Sequence, residues 1–214
     1  MRLTLTTFLT LDGVMQAPGG ADEDPEGFRY GGWQAPFGDE DMMRLVTDWM
    51  ANADAFLLGR KTYEIFAGYW PRVTDDNDRI AVPLNRLPKY VASTTLRSLQ
   101  WNNSHLVRGD VVAEVRRLKA QPGNELQVHG SGQLAQTLIA HDLVDEYRLW
   151  IYPVLVGAGK RLFRERENGA TLRLIASKTT STGVLVCTYY RPAGPIRSGS
   201  HGVEEGRATQ RSEP

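Results

Sequence analysis

Residues Glu125 to Leu138 read ELQVHGSGQLAQTL, and this stretch decides the fold. Leu126 and Val128 alternate with polar neighbours as in a β-strand, whereas Leu134, Thr137, Leu138 and His141 recur at helical spacing. Between the two patterns stand Gly130, Ser131 and Gly132, which carry little side chain. A strand that turns straight into a helix at small residues lets backbone N–H groups at the helix N-terminus approach a phosphate closely. The spacing also fits G-x-G-x-x-A, ending at Ala135. A tight turn with no ligand is the plain alternative.

A dinucleotide domain of the Rossmann type would need a second parallel strand after the helix, with an acidic residue near its far end to bind ribose. Asp145 and Glu146 instead precede the strand YRLWIYPVLV, and the chain beyond the glycine turn reads as a hairpin rather than another crossover. The turn is therefore expected outside a Rossmann frame.

At 214 residues and 41% hydrophobic content the chain suits one domain with one substantial core. Lys plus Arg and Asp plus Glu both number 25, so no global charge calls for nucleic acid or an anionic membrane. A single cysteine, Cys187, has no internal disulfide partner, and the N-terminus MRLTLTTFLTLDG alternates instead of opening with a basic segment and an apolar run. No run approaches the roughly 18 apolar residues of a membrane span. The expectation is a cytoplasmic protein that handles small molecules.

In residues 2 to 11, Leu3, Leu5, Thr7, Leu9 and Leu11 share one face of a first strand, which ends at Asp12-Gly13. From Ala17 to Gly38 a long loop carries Phe28, Tyr30, Trp33 and Phe37. Disorder would not favour four aromatics, so the loop is expected to close on a planar ligand through Phe28, Tyr30 and Trp33. Asp39 caps a helix to Met50 with Met43, Val46 and Met50 as its stripe. Ala55 to Leu58 form a buried strand, and Gly59-Arg60-Lys61-Thr62 turns into a helix that Trp70-Pro71 ends. A polar connection leads to a strand at Lys89 to Ala92, with Ser93-Thr94-Thr95 after it. His105 to Val107 form a strand and Asp110 to Lys119 a helix. Beyond the glycine turn, strands are expected at 146–156, 171–180 and 184–190, the last two joined by a turn at Ser181-Thr182-Gly183. From Pro192 onward the composition predicts a disordered tail.

Four pieces in this order are similar to the dihydrofolate-reductase-like family: LDG at Leu11 to Gly13, LLGRKTYE at Leu57 to Glu64, VHGSGQL at Val128 to Leu134, and LVDEYRLWIYPVLVGAGKRLF at Leu143 to Phe163. The nearest branch is the riboflavin-pathway reductase of 5-amino-6-(5-phosphoribosylamino)uracil, the reductase part of bifunctional deaminase-reductases. The resemblance covers residues 1–191 and leaves 192–214 as tail. It implies an α/β three-layer fold, with a mixed, mostly parallel central sheet, helices on both faces and an antiparallel C-terminal hairpin. It also implies a homodimer and hydride transfer from NADPH to a small heterocyclic substrate.

Carried over residue by residue, the family puts the cofactor pyrophosphate near Gly130, Ser131, Gly132, Gln133 and Leu134 and near Gly59, Arg60, Lys61 and Thr62. The 2′-phosphate falls near Arg60, Ser93 and Thr94. The bland alternative is that Arg60 and Lys61 are solvated charges. Many dihydrofolate reductases have two adjacent glycines where this chain has Gly130-Ser131. Asp39, Glu40 and Asp41 give no clear match to their substrate carboxylate, so folate is not the expected substrate. Asp12 is the catalytic candidate facing the nicotinamide end, although Asp-Gly after a strand is equally a common turn.

Gly157-Ala158-Gly159-Lys160 lacks the P-loop spacing and reads as a loop bordering the pocket. His129 is a ligand-side donor or, more plainly, a histidine hydrogen-bonded inside the sheet. The histidines and Cys187 share no metal-ligand spacing. A rival reading of a different class is a nucleotide-binding regulatory protein that kept the cofactor site and lost catalysis.

Overall fold

The structure is a computed structural model and describes residues 1–24, 27–164, 169–204 and 207–212. In chain order the elements are β1 (Arg2–Thr10), α1 (Glu40–Met50), β2 (Ala53–Gly59), α2 (Arg60–Tyr69), α3 (Ala81–Arg86), β3 (Lys89–Ala92) and β4 (Ser104–Val107). Then come α4 (Val111–Lys119), β5 (Glu125–His129), α5 (Gly132–Ala140), β6 (Glu146–Tyr152), β7 (Thr171–Thr179) and β8 (Leu185–Gly194). They build an eight-stranded sheet in the order β4-β3-β2-β5-β1-β6-β8-β7. Strands β4 through β6 in that order are mutually parallel, and β8 and β7 close the end as an antiparallel hairpin. This is the three-layer α/β architecture expected from the sequence.

Alternation in β1 sends Leu3, Leu5 and Leu9 to one face, where Val115 and Leu118 of α4 and Leu134, Ala135 and Leu138 of α5 bury them. The other face carries Phe8, Phe56, Leu58, Trp150 and Tyr152 under α1, α2 and α3. Each fully buried aliphatic side chain stabilises the fold by about 1.5–3 kcal/mol relative to exposure. Leu11, placed by alternation on the inner face, is 64% exposed because the strand has already turned. Helix α1 starts where Asp39 accepts from Met42 N–H at 2.7 Å. Its inward side is Met42, Leu45, Val46, Trp49 and Met50, while Met43, expected in the stripe, is exposed.

The expectation of a hairpin directly after the glycine turn is corrected. Helix α5 makes a further crossover, and β6 lies parallel to β1, with Thr4 opposite Glu146 and Thr10 opposite Tyr152. Nearly every β6 residue is buried, as in a strand covered on both faces, so it sits inside the sheet and the hairpin begins one strand later. The hairpin turn is the expected one, with Thr180 N–H donating to Val184 O and Gly183 at φ +83°. The polar connection before β3 contains the six-residue α3, whose start is held by Asp78 accepting from Ile80 and Ala81 N–H at 2.8 and 2.7 Å.

Composition predicts no structure after Pro192. In the structure β8 runs on to Gly194, and β9 (Gly199–Glu204) pairs with β10 (Arg207–Ser212) in a separate antiparallel ladder. Almost all of the described side chains there are exposed, so backbone pairing alone defines the ladder and no apolar pattern announces it.

Candidate functional site

A ligand crevice in a parallel sheet forms outside the carboxyl ends of neighbouring strands whose succeeding helices leave to opposite faces. Here β1 and β5 are neighbours; β1 leads to α1 on one face, and β5 leads to α5 on the other. The crevice is therefore built from Thr10 to Gly13 and His129 to Gly132, with the turn Gly59 to Thr62 of adjacent β2 beside it.

Ser131 joins the two strand-to-helix turns. Its Oγ accepts from Gly59 N–H at 2.9 Å and donates to His129 O at 3.0 Å, and its own N–H donates to Thr62 Oγ1 at 3.1 Å. Gly130 and Ser131 are both left-handed, at φ +53° and +54°. A Cβ on Gly132 would stand 3.1 Å from Met15 Sδ, so the small residue lets the chain pass close under Met15. The N–H groups of Gly59 and Ser131 are thus spent inside the protein. Those of Gly132, Gln133 and Leu134, in the first turn of α5, have no intrahelical acceptor, as at every helix N-terminus.

At the neighbouring turn Arg60 is half-exposed. Its Nε donates to Glu64 at 2.9 Å and its Nη1 to Thr95 Oγ1 at 2.8 Å, with Lys61 exposed beside it. The loop after β3 is the one expected from sequence, but Thr95 is the hydroxyl that meets Arg60. Ser93 Oγ accepts from Thr95 and Leu96 N–H at 3.2 and 3.0 Å, which shapes the loop, and Thr94 is exposed.

Asp12 is engaged on both carboxylate oxygens. Oδ1 accepts from Thr10 Oγ1 at 2.6 Å and Oδ2 from Gly157 N–H at 2.8 Å, while Arg161 Nη1 donates to the Asp12 carbonyl. The Thr10 hydroxyl, outweighing a smaller opposing burial effect, and the Gly157 N–H hold the carboxyl below its ordinary range. The group is an ionised fastener that draws the 157–160 loop onto the β1 exit. The side chain expected as the catalytic group is thus hydrogen-bonded within the protein on both oxygens. Gly159, at φ +146°, permits the approach, since a Cβ there would lie 2.6 Å from Val14 Cγ1. The loop borders the crevice, as the sequence suggested.

The aromatic loop is folded down onto the protein. Trp33 is buried, its Nε1 donates to Gln16 O at 2.8 Å, and its ring meets Tyr152 edge-on at 5.2 Å. Its expected role as a ligand contact is corrected to core packing, because the indole's apolar surface and its N–H are both satisfied by the protein. Phe28 is half-buried against Gly159, and Tyr30, 6.2 Å from Phe28, is exposed at the rim. Nearer the strands, Phe8, Trp49 and Phe66 are half-buried.

The chain matches the RibD C-terminal domain over residues 2–186. It belongs to this family. A curated relative is the uncharacterized protein YyaP of Bacillus subtilis (strain 168), 31% identical over 191 residues, which are 88% of this chain and 94% of YyaP. A second, YwjB of the same organism, is 27% identical across 62% of this chain and 71% of its own. The fold is shared with a putative riboflavin biosynthesis protein from Shewanella sp. PV-4, at TM-score 0.67 and 23% identity, covering 89% of this chain and 99% of that one. A pyrimidine reductase-like protein from Corynebacterium diphtheriae NCTC gives TM-score 0.58 and 13% identity, with 92% of each chain covered.

In this RibD C-terminal domain a file of polar side chains runs beneath α1 to the crevice. Arg148 Nη2 and Nη1 bind Glu125 at 2.7 and 3.0 Å, and its Nε binds Glu146 at 2.7 Å. The guanidinium lies 4.9 Å from the Trp49 ring centroid. Gln127 Nε2 donates to Glu125 Oε2 at 2.8 Å and to Trp49 O at 2.7 Å, and Gln127 Oε1 is 3.2 Å from His129 Nε2. Burial pushes the Glu125 carboxyl up, but Arg148, Arg2 and Gln127 together bring it below the ordinary range. His129 is lowered to about 4, first by burial and then by the Arg148 charge. Sequence reasoning missed Ser131 as a fastener, Thr95, and this file; only the alternation of Glu125, Gln127 and His129 marked them as one face. Asp145, weighed as a ribose ligand, accepts from Leu3 N–H at 2.8 Å and pairs with Lys119 at 2.7 Å, which makes it structural. Among the described residues no three His, Cys, Asp or Glu side chains converge as a metal set, and no helix is long and apolar enough to cross a membrane.

Proposed function

We propose that this RibD C-terminal domain protein is an NADPH-dependent reductase that delivers hydride to a small planar heterocycle. One observation carries the reading: two helix N-termini are fastened together by Ser131, the first-turn N–H groups of Gly132, Gln133 and Leu134 have no intrahelical acceptor, and Arg60 stands at the neighbouring turn. That donor set fits a pyrophosphate at α5 and a 2′-phosphate between Arg60 and Thr95. The nicotinamide, when bound, supplies the hydride. The chain's own part is to hold the phosphates and to offer the half-buried Phe8, Trp49 and Phe66 as apolar surface. Asp12 keeps the 157–160 loop against the β1 exit, and Phe28 and Tyr30 stand at the outer rim. The pyrimidine reductase-like and riboflavin biosynthesis names of its structural neighbours favour a pyrimidine- or pterin-like substrate.

The test is fluorescence titration with NADPH and NADH, and then NADPH oxidation across pterins, aminopyrimidine ribosides and quinoid heterocycles. Hydrogen bonds to charged groups contribute roughly 1.5–3 kcal/mol. Arg60→Ala should therefore weaken NADPH about 10- to 150-fold and leave NADH nearly unchanged. Equal losses for both cofactors would remove Arg60 from the phosphate site. Tight NADPH binding with no turnover on the whole panel would leave a nucleotide-binding protein and sink the reductase.

We infer in addition a homodimer pairing through the β7–β8 end of the sheet, where Leu174, Ile175 and Leu185 are 50%, 48% and 39% exposed. Light scattering at micromolar concentration should then give twice the 23.9 kDa chain mass. A concentration-independent monomer refutes the pairing.

A further inference from the structure

A cavity of about 560 Å³ lies away from the crevice, at the amino ends of β3 and β4. Its walls come from the second half of α2, the helical turn Trp70–Arg72, the 73–76 loop, α3 and residues 100–102 just ahead of β4. The crevice stands at the carboxyl ends of β1 and β5, so the two openings are at opposite ends of the sheet.

The walls are tied to one another within the protein. Asn85 of α3 donates through Nδ2 to Trp70 O at 3.0 Å and to Val73 O at 3.4 Å, and its Oδ1 accepts from Trp101 Nε1 at 2.9 Å. The Trp101 backbone N–H donates to the Tyr63 hydroxyl oxygen at 3.0 Å. Lys89, fully buried and no part of the lining, holds its Nζ 4.5 Å from the Trp101 ring centroid and donates to Leu84 O and Leu87 O, both at 2.8 Å. A cavity whose walls are already fixed demands little ordering when a ligand enters.

The lining offers two kinds of surface. Half-buried Val73 and Val82, with Trp101, are apolar. Of the charged lining residues, Asp76 pairs with Arg86 at 3.2 Å. Asp75 accepts from Asn77 N–H at 2.9 Å and meets no cation among the described residues. One carboxylate is therefore left uncompensated beside an apolar hollow of a size usual for small-molecule sites. A cationic head gains at that position, and an anionic one is repelled.

We propose that this cavity is a second small-molecule site, taking a compound with a flat apolar body and a single ammonium group, the body against Val73, Val82 and Trp101 and the ammonium at Asp75. The site does not depend on the cofactor reading and stands or falls separately from it.

The probes are naphthylethylamine, naphthylethanol and naphthylacetate, which share one apolar body and carry a positive, a neutral and a negative head. Dissociation constants are measured by calorimetry on the full chain. A body of this size should bind a formed pocket at about 1 mM or tighter. The amine should bind about 2- to 5-fold more tightly than the alcohol, the worth of an ion pair open to solvent, and the acetate should be weakest. Asp75→Asn, on an exposed loop, should bring the amine-to-alcohol ratio to about one. Val82→Phe, which fills part of the hollow, should weaken all three. In nitrogen-15 NMR the Trp101 indole N–H signal should move on titration and that of Trp150 should stay. NADP⁺ affinity should be the same with and without the amine. No saturation by any probe, tightest binding of the acetate, a ratio that survives Asp75→Asn, or a response at Trp150 in place of Trp101 overturns the proposal. Competition between the amine and NADP⁺ overturns it as well, because it places the amine in the crevice. If Val82→Phe does not fold, the Asp75→Asn ratio and the NMR response decide.

Discussion

Ser131 carries two opposing energetic effects that Ser131→Ala and Ser131→Gly separate. Its φ of +54° and ψ of +49° lie in the left-handed region, which costs a residue with a Cβ roughly 1–2 kcal/mol. Its Oγ accepts the half-buried Gly59 N–H at 2.9 Å, and leaving such a donor unpaired costs about 1–3 kcal/mol. Ser131→Ala keeps the backbone strain and loses the acceptor, so it should destabilise by about 1–3 kcal/mol. For a chain of this size that is a fall in Tm of roughly 2–12 °C. Ser131→Gly loses the same acceptor but recovers about 1 kcal/mol of strain, so it should lie between Ala and wild type. Calorimetry and urea unfolding give the order, and NADPH titration gives the functional echo. Both variants should bind NADPH more weakly, because the N–H groups of α5 are aimed by this junction. If Ser131→Ala is as stable as wild type, or Ser131→Gly is the less stable of the two, the fastening argument is wrong.

Burial sets two further outcomes. Trp33→Ala empties a core site beside Tyr152 and should cost about 3–5 kcal/mol, visible as a lower urea midpoint; an unchanged midpoint with a raised KM would return Trp33 to the ligand. His129, held near 4 against an ordinary 6.5, contributes stability that is complete above pH 6.5 and is lost as pH falls towards 4. The limit is about 3 kcal/mol and less for a ring partly open to solvent, and His129→Phe should flatten the stability profile across that window. A slope unchanged by the substitution would mean the ring titrates alike folded and unfolded.

The β5 turn is legible in the sequence because the apolar period changes from two to nearly four within three residues. Helix starts at Asp39 and Asp110 are legible because a capping side chain acts within three residues of itself. The burial of Trp33 is not, because an aromatic in an aperiodic loop suits a core and a ligand equally until the loop's path is known. The role of Ser131 is hidden for a plainer reason: its donor, Gly59, is 72 residues away. Asp12 shows the same limit, since its turn is plain from Asp-Gly while Gly157, 145 residues on, uses the carboxylate.

The polar file is the hardest part to read and the most informative. Glu125, Gln127 and His129 alternate with Leu126 and Val128, which in a half-exposed strand marks a solvent face. Yet β5 lies between β2 and β1 with helices over both sides, so that face is buried and the charges on it must be matched internally. A buried Arg148–Glu125 pair is weak evidence for stability, because apolar residues of like volume often do as well or better. The arrangement instead fixes direction: Arg148 holds Glu125, Glu125 orients Gln127, and Gln127 Oε1 meets His129 Nε2 at 3.2 Å. A polar face on a doubly covered central strand is therefore better explained by the side-chain directions it fixes than by what it contributes to folding.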